Sequence, residues 1–168
     1  MANASWRQTV AQYVKNNDMF RCPSNPSNNE EADVKGSAND AVTLPEIKRS
    51  YTMNINLIRA KSESGVQATG SKIMVAEAVY NNTIVNAEWS GDTWKERGYA
   101  GHLGTANYLY ADGHVKALMP TKTATPLNQW GRGNADCTGF NDEVARINCD
   151  TVNTDMVNAL NQLQQKYK

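Results

Sequence analysis

The 168-residue chain contains no apolar run approaching the roughly 18 residues of a membrane span. It also lacks the basic-then-apolar leader of a secretory signal peptide. Lys+Arg and Asp+Glu both number 17, so the formal net charge is zero, and no basic block interrupts the chain. Binding a nucleic acid by neutralising its phosphates is therefore disfavoured. Charged residues make up 20% and apolar residues 40%, both slightly below globular averages. Asn, Ser and Thr fill the difference, a soft cue to a protein that works outside the cytoplasm. There are only three cysteines. Cys22 has no base in its local sequence, so nothing nearby would activate it as a nucleophile. Glu77 has no acidic neighbour in its own context, which leaves the paired carboxylates of a glycosidase unsupported. The length nevertheless fits one domain over 1–168 with a substantial buried core.

The most informative segment that is present runs Gly101-His102-Leu103-Gly104-Thr105-Ala106-Asn107-Tyr108-Leu109-Tyr110-Ala111-Asp112-Gly113-His114-Val115. Asp-Gly between alternating apolar residues predicts a β-hairpin over about 105–111 and 114–119 with Asp112-Gly113 at its tip, because glycine supplies the positive φ at little cost. Upstream, Ser5-Trp6-Arg7-Gln8 has the form of a capping box. Trp6, Val10, Tyr13 and Val14 recur at helical spacing, so a helix is expected over about 6–16, stopped by Asn16-Asn17. Residues 23–46, with Pro23, Pro26, Gly36 and Pro45, read as a loop. Arg49 to Leu57 alternates, which predicts a half-buried strand with Tyr51, Met53, Ile55 and Leu57 on one face. A second strand is expected over Lys72 to Tyr80, and a return over Thr83 to Trp89. Residues 121–150 read as polar and irregular. Met156, Leu160, Leu163 and Tyr167 make Thr154 to Tyr167 an amphipathic C-terminal helix. The order helix, antiparallel strands, helix is α+β.

His102, His114, Asp112 and Glu77 invite a zinc-like ligand set or a small metallo-hydrolase site. Turn chemistry accounts for Asp112, and a hydrogen bond from the imidazole to the hairpin backbone accounts for His102. Glu77 ends an apolar strand and needs a partner, with Arg49, Lys72 or a backbone N–H as candidates. Cys22 reads as a small packed apolar group. Trp89, Trp94, Tyr99 and Trp130 flank polar loops. They could form a sugar-stacking platform on an extracytoplasmic carbohydrate- or ligand-binding module, or plug the ends of a small sheet.

Several of these residues also follow one another in a known order. Trp6 and Tyr13-Val14-Lys15-Asn16-Asn17 lead into Phe20-Arg21-Cys22-Pro23-Ser24. Ser50-Tyr51-Thr52-Met53-Asn54, Ile73-Met74-Val75-Ala76-Glu77, His102 and Asp112-Gly113 come next. The ordered set resembles bacterial prepilin-type, pseudopilin-like H-X9-DG proteins, which are similar to subunits of type II secretion and type IV pilus machinery. It covers roughly 5–120. The chain departs from the pattern at Ala11-Gln12-Tyr13, where Leu-Pro-Tyr is expected, and over 121–168, a polar loop plus the C-terminal helix.

The resemblance implies a pilin-like antiparallel sheet and a structural, non-catalytic filament subunit. Trp6, Cys22, Pro23, Tyr51, Asn54, Glu77, His102, Asp112 and Gly113 would be structural motif residues. It implies like subunits and other pilus or secretion components as partners, joined through an N-terminal helix that this chain lacks. Membrane contact would run through that helix only. Met1-Ala2 reads like an expression start, so the expected native form is extracytoplasmic and held in the inner membrane before assembly. No cofactor is required. Calcium is expected at most in the C-terminal loop, where Asp136, Asn141, Asp142 and Asp150 offer oxygen ligands without EF-hand spacing. An oxidising compartment would favour a Cys137–Cys149 disulfide, worth about 3 kcal/mol in the chain-entropy model, over two free buried thiols.

Overall fold

The computed structural model describes residues 6–26, 47, 50–54, 57, 66–79, 84–85, 96–131, 152 and 154–168. Among the described residues, two α-helices, α1 (Trp6–Ala11) and α2 (Thr154–Lys166), flank five strands. The strands are β1 (Tyr51–Asn54), β2 (Ile73–Glu77), β3 (Ile84–Val85), β4 (Ala106–Tyr110) and β5 (Val115–Leu118). They form one sheet in the order β3-β1-β2-β4-β5. The pairs β1/β2, β2/β4 and β4/β5 are antiparallel, whereas the two-residue β3 runs parallel to β1. The fold class is mixed α+β, an antiparallel sheet with a C-terminal helix. No helix among the described residues is long and apolar enough to cross a membrane.

The sheet register decides which side chains meet α2. Residues directly opposite one another share a face, and Thr52↔Ala76↔Tyr108 is one such row. Ala76 and Tyr108 join Ile73, Ala106, Tyr110, Trp130, Met156, Ala159, Leu160 and Leu163 in one buried cluster. The helical spacing of Met156, Leu160 and Leu163 thus lays one stripe of α2 on this face. A register shift between Ile73 and Val75 lets both Ile73 and Ala76 face the helix. Val75 and Glu77 consequently point to the opposite side.

Two expected faces are reversed. In β1 the buried residues are Thr52 and Asn54, while Tyr51 and Met53 are half-buried. Asn54 earns its inward place by hydrogen bonding: its Nδ2 donates to Ile73 O at 2.9 Å and to Trp130 O at 3.0 Å. In α1 the buried residues are Arg7 and Gln8, whereas Val10 is exposed and Tyr13 is 80% exposed. Arg7 Nη2 donates to the Tyr51 carbonyl, which turns that side of the helix inward. The helix also ends earlier than its apolar spacing predicts, at Ala11. Tyr13 N donates to Val10 O at 2.8 Å and Val14 N to Ala11 O at 3.1 Å, the tightened bonds of a terminal turn. Asn16 then caps a 3₁₀ turn over Asn17–Phe20 by accepting from Asp18 N. The expected N-cap Ser5 lies outside the described residues.

Two turns frame β4. Ahead of it, His102 and Thr105 exchange backbone hydrogen bonds across Leu103 (φ 55°) and Gly104 (φ 78°). Positive φ at both central residues is the type I′ geometry. Leu103 occupies it despite its Cβ and is 100% exposed. Beyond β4, the hairpin tip is a three-residue loop, Ala111-Asp112-Gly113, closed by Tyr110 N donating to His114 O at 2.9 Å. Only Gly113 has positive φ there, at 93°, as in a type I turn with a bulge.

Candidate functional site

The N-terminal segment crosses the end of β1 and β2 and carries Cys22 to Glu77. Ser50 N donates to Phe20 O at 3.2 Å, Asn25 Nδ2 donates to Ala78 O at 2.6 Å, and Tyr99 OH donates to Ser24 O. Cys22 is therefore held on both sides of its own position and is a buried free thiol. Glu77 closes β2, directly across from Tyr51. His102 enters from the Gly101–Thr105 turn. Its ring stands edge-on to Tyr99, 5.6 Å between centroids, and Tyr99 in turn packs on Tyr167 at the end of α2. Gly101 permits this approach, because any Cβ there would overlap the Tyr99 ring.

Three functional atoms converge. His102 Nε2 lies 2.9 Å from Glu77 Oε1 and 3.5 Å from Cys22 Sγ. The Glu77 side chain is 0% exposed and His102 is 32% exposed, so the group opens to solvent on the histidine side. The other carboxylate oxygen of Glu77 accepts from Asn107 N at 2.7 Å, and Asn107 Nδ2 reaches Oε1 at 3.4 Å. A buried carboxylate needs such donors. Among the candidates weighed from sequence, a backbone N–H serves this role. Burial, then the Glu77 carboxylate, pushes the Cys22 thiol above its ordinary value of 9.0 despite a backbone hydrogen bond at Ser24. Burial, with Glu77 and then Cys22 adding to it, pushes the Tyr51 phenol up to about 12. Both shifts keep protons on groups beside the carboxylate.

The arrangement is not a nucleophile–base–acid relay. Such a relay uses the two ring nitrogens of histidine separately, one toward the nucleophile and one toward the acid. Here the thiol and the carboxylate face the same nitrogen, Nε2, which offers one proton or one lone pair at a time. The raised thiol also opposes formation of the reactive thiolate. Sulfur, nitrogen and carboxylate oxygen gathered around one point can instead act as a ligand set, and the three atoms all lie within 4.8 Å of one another.

Other sequence-derived candidates fall elsewhere. His114 sits at the opposite end of β4 from His102, so the two histidines do not form one site. It stacks on Tyr110, 4.3 Å between centroids, and its Nδ1 lies 2.6 Å from Asp112 Oδ1. Asp112 Oδ1 also accepts from His114 N at 3.2 Å. That backbone hydrogen bond, followed by the His114 imidazole, lowers the Asp112 carboxyl below its ordinary 3.8. Trp6 packs edge-on against Phe20, Asn54 braces the core, and Gly113 serves the hairpin. Pro23 continues the segment beside Cys22. Tyr99 and Trp130 are buried, so neither offers an open stacking face. Trp89, Trp94, Cys137, Cys149, Asp136, Asn141, Asp142 and Asp150 lie outside the described residues. Asn107 and Tyr99 also belong to the site, through the Glu77 carboxylate and the His102 ring, and local sequence gives neither residue a role there. The polar Asn107 on a strand of alanine, leucine and tyrosine is the available signal.

Comparison with protein-family models, with curated proteins and with solved structures finds no match to this chain.

Proposed function

We propose that this chain is the globular domain of a structural subunit in a pseudopilus or type IV pilus-like filament, with a pilin-like sheet and no catalytic step of its own. One observation carries the reading. On the face turned away from α2, Met53, Val75, Leu109 and Val115 stand in register across β1, β2, β4 and β5. Val115 in that row is 60% exposed, and Met53 and Leu109 are half-buried. A continuous apolar row on a sheet face suits a docked helix better than water. A helix preceding Trp6 in the native precursor is the partner this reading assigns to the row. Val10, Tyr13 and Met19 add exposed apolar surface along the segment that would follow such a helix. The shared use of His102 Nε2 favours a non-catalytic role.

In this reading the precursor is held in the inner membrane by that helix, cleaved and methylated at its N-terminus, and assembled with like subunits outside the cytoplasm. Calcium in the acidic C-terminal loop belongs to the same reading. The test is N-terminal sequencing and intact mass of the protein isolated from its native cell. The expected chain carries an apolar helix of about 20 residues ahead of Trp6, and Val115→Glu lowers its incorporation into filaments while leaving its melting temperature unchanged. A mature chain beginning near Met1 would overturn the proposal and favour a binding module that acts alone.

A further inference from the structure

We propose that Cys22, Glu77 and His102 bind one divalent transition-metal ion of the zinc type. The ion would staple the N-terminal segment to β2 and to the turn ahead of β4. The inference is independent of filament assembly.

The donor set fits this chemistry. Thiolate and imidazole select borderline-soft ions such as zinc over calcium or magnesium. Zinc bonds of about 2.3 Å to sulfur and about 2.0–2.1 Å to nitrogen, at the tetrahedral angle, place those two ligand atoms about 3.5 Å apart. Cys22 Sγ and His102 Nε2 are 3.5 Å apart. The same geometry puts nitrogen and carboxylate oxygen about 3.4 Å apart, so the 2.9 Å between His102 Nε2 and Glu77 Oε1 would open by about half an ångström. His102 is the partly exposed member and can give by that amount. Water would complete the tetrahedron from the side on which His102 is exposed.

Charge and orientation point the same way. A thiolate, a carboxylate and a neutral imidazole carry two negative charges, which a divalent ion neutralises in a buried setting. Binding would release the thiol proton of Cys22 to solvent and form the metal–sulfur bond, with no oxidant or reductant needed. Glu77 is oriented for this role, because Asn107 N–H holds Oε2 at 2.7 Å while Oε1 faces His102, with only the long 3.4 Å contact from Asn107 Nδ2 beside it. The ring of Tyr99 fixes the imidazole from its side.

The test uses the whole 168-residue chain, reduced and stripped of metal by chelator, titrated with cobalt(II) and then with zinc. The expected result is one equivalent of cobalt with a thiolate-to-cobalt charge-transfer band, displaced by one equivalent of zinc. Cys22→Ala and His102→Ala lose the band, and their zinc affinity falls more than 100-fold. A Cys137→Ser/Cys149→Ser variant keeps the band. In the unsubstituted chain, zinc slows iodoacetamide alkylation mapped to the Cys22 peptide, a readout that does not depend on any variant folding. Absence of a thiolate band, a band that survives Cys22→Ala, a band lost with Cys137 and Cys149, or an alkylation rate at Cys22 unchanged by zinc would each overturn the proposal.

Discussion

Glu77→Ala and Glu77→Gln should differ sharply in stability. The alanine removes the acceptor of the Asn107 N–H hydrogen bond, 2.7 Å long at a side chain that is 0% exposed. A buried N–H left without a partner costs about 1–3 kcal/mol. The lost side-chain carbons beyond Cβ add about 0.8 kcal/mol per methylene. The expected total is about 3 kcal/mol. Glutamine keeps the volume and an acceptor oxygen for Asn107 N–H, and loses the charge that faces His102 together with the long acceptor contact of Oε1 with Asn107 Nδ2 at 3.4 Å. Because His102 is 32% exposed, solvent weakens that pair, and the expected cost is about 1 kcal/mol. Urea unfolding in reducing, chelator-containing buffer measures both variants without a metal contribution. At about 2–4 °C per kcal/mol for a chain of this size, the two melting temperatures should differ by at least about 4 °C. Equal stabilities would refute the reasoning, because they would mean that Glu77 does not hold the Asn107 backbone.

Leu103→Gly should stabilise the fold by about 1 kcal/mol, since Leu103 pays the left-handed backbone cost at φ 55° and has no side-chain burial to offset it; a loss of stability on thermal melting would contradict this. Gly101→Ala should destabilise by about 1–3 kcal/mol, because its Cβ would displace the Tyr99 ring from its bond to Ser24; unchanged melting would show that the ring yields freely. The lowered Asp112 carboxyl contributes stability above its ordinary 3.8, and that contribution is lost as pH falls through the lower folded value. Acid unfolding of Asp112→Asn should therefore depend less steeply on pH below 3.8 than that of the unsubstituted chain, and identical acid profiles would count against the Asp112–His114 contact.

The elements legible in the chain are those whose signals are local. The C-terminal helix follows from Met156, Leu160 and Leu163, whose spacing repeats over a single turn-to-turn contact. The hairpin follows from Asp112-Gly113, where the backbone requirement and the residue that meets it are adjacent. Even there, the loop takes three residues rather than two, because Tyr110 and His114 close it. Local spacing misjudged β1 and α1 for a common reason. Asn54 and Arg7 point inward because carbonyls from distant segments, Ile73, Trp130 and Tyr51, accept their hydrogens, and such acceptors leave no trace in a local pattern. The candidate site shows the same division. Local sequence is enough to set Cys22, Glu77 and His102 each in a constrained context: before Pro23, at a strand end, and between Gly101 and Gly104. Their meeting is a product of the folded arrangement. Cys22 and His102 are 80 positions apart, and their approach depends on the N-terminal segment lying over the end of β1 and β2 and on the turn that precedes β4. The chemistry available to Cys22 is thus a property of sheet register and loop placement, because the imidazole and the carboxylate that its own neighbourhood lacks arrive from other parts of the chain.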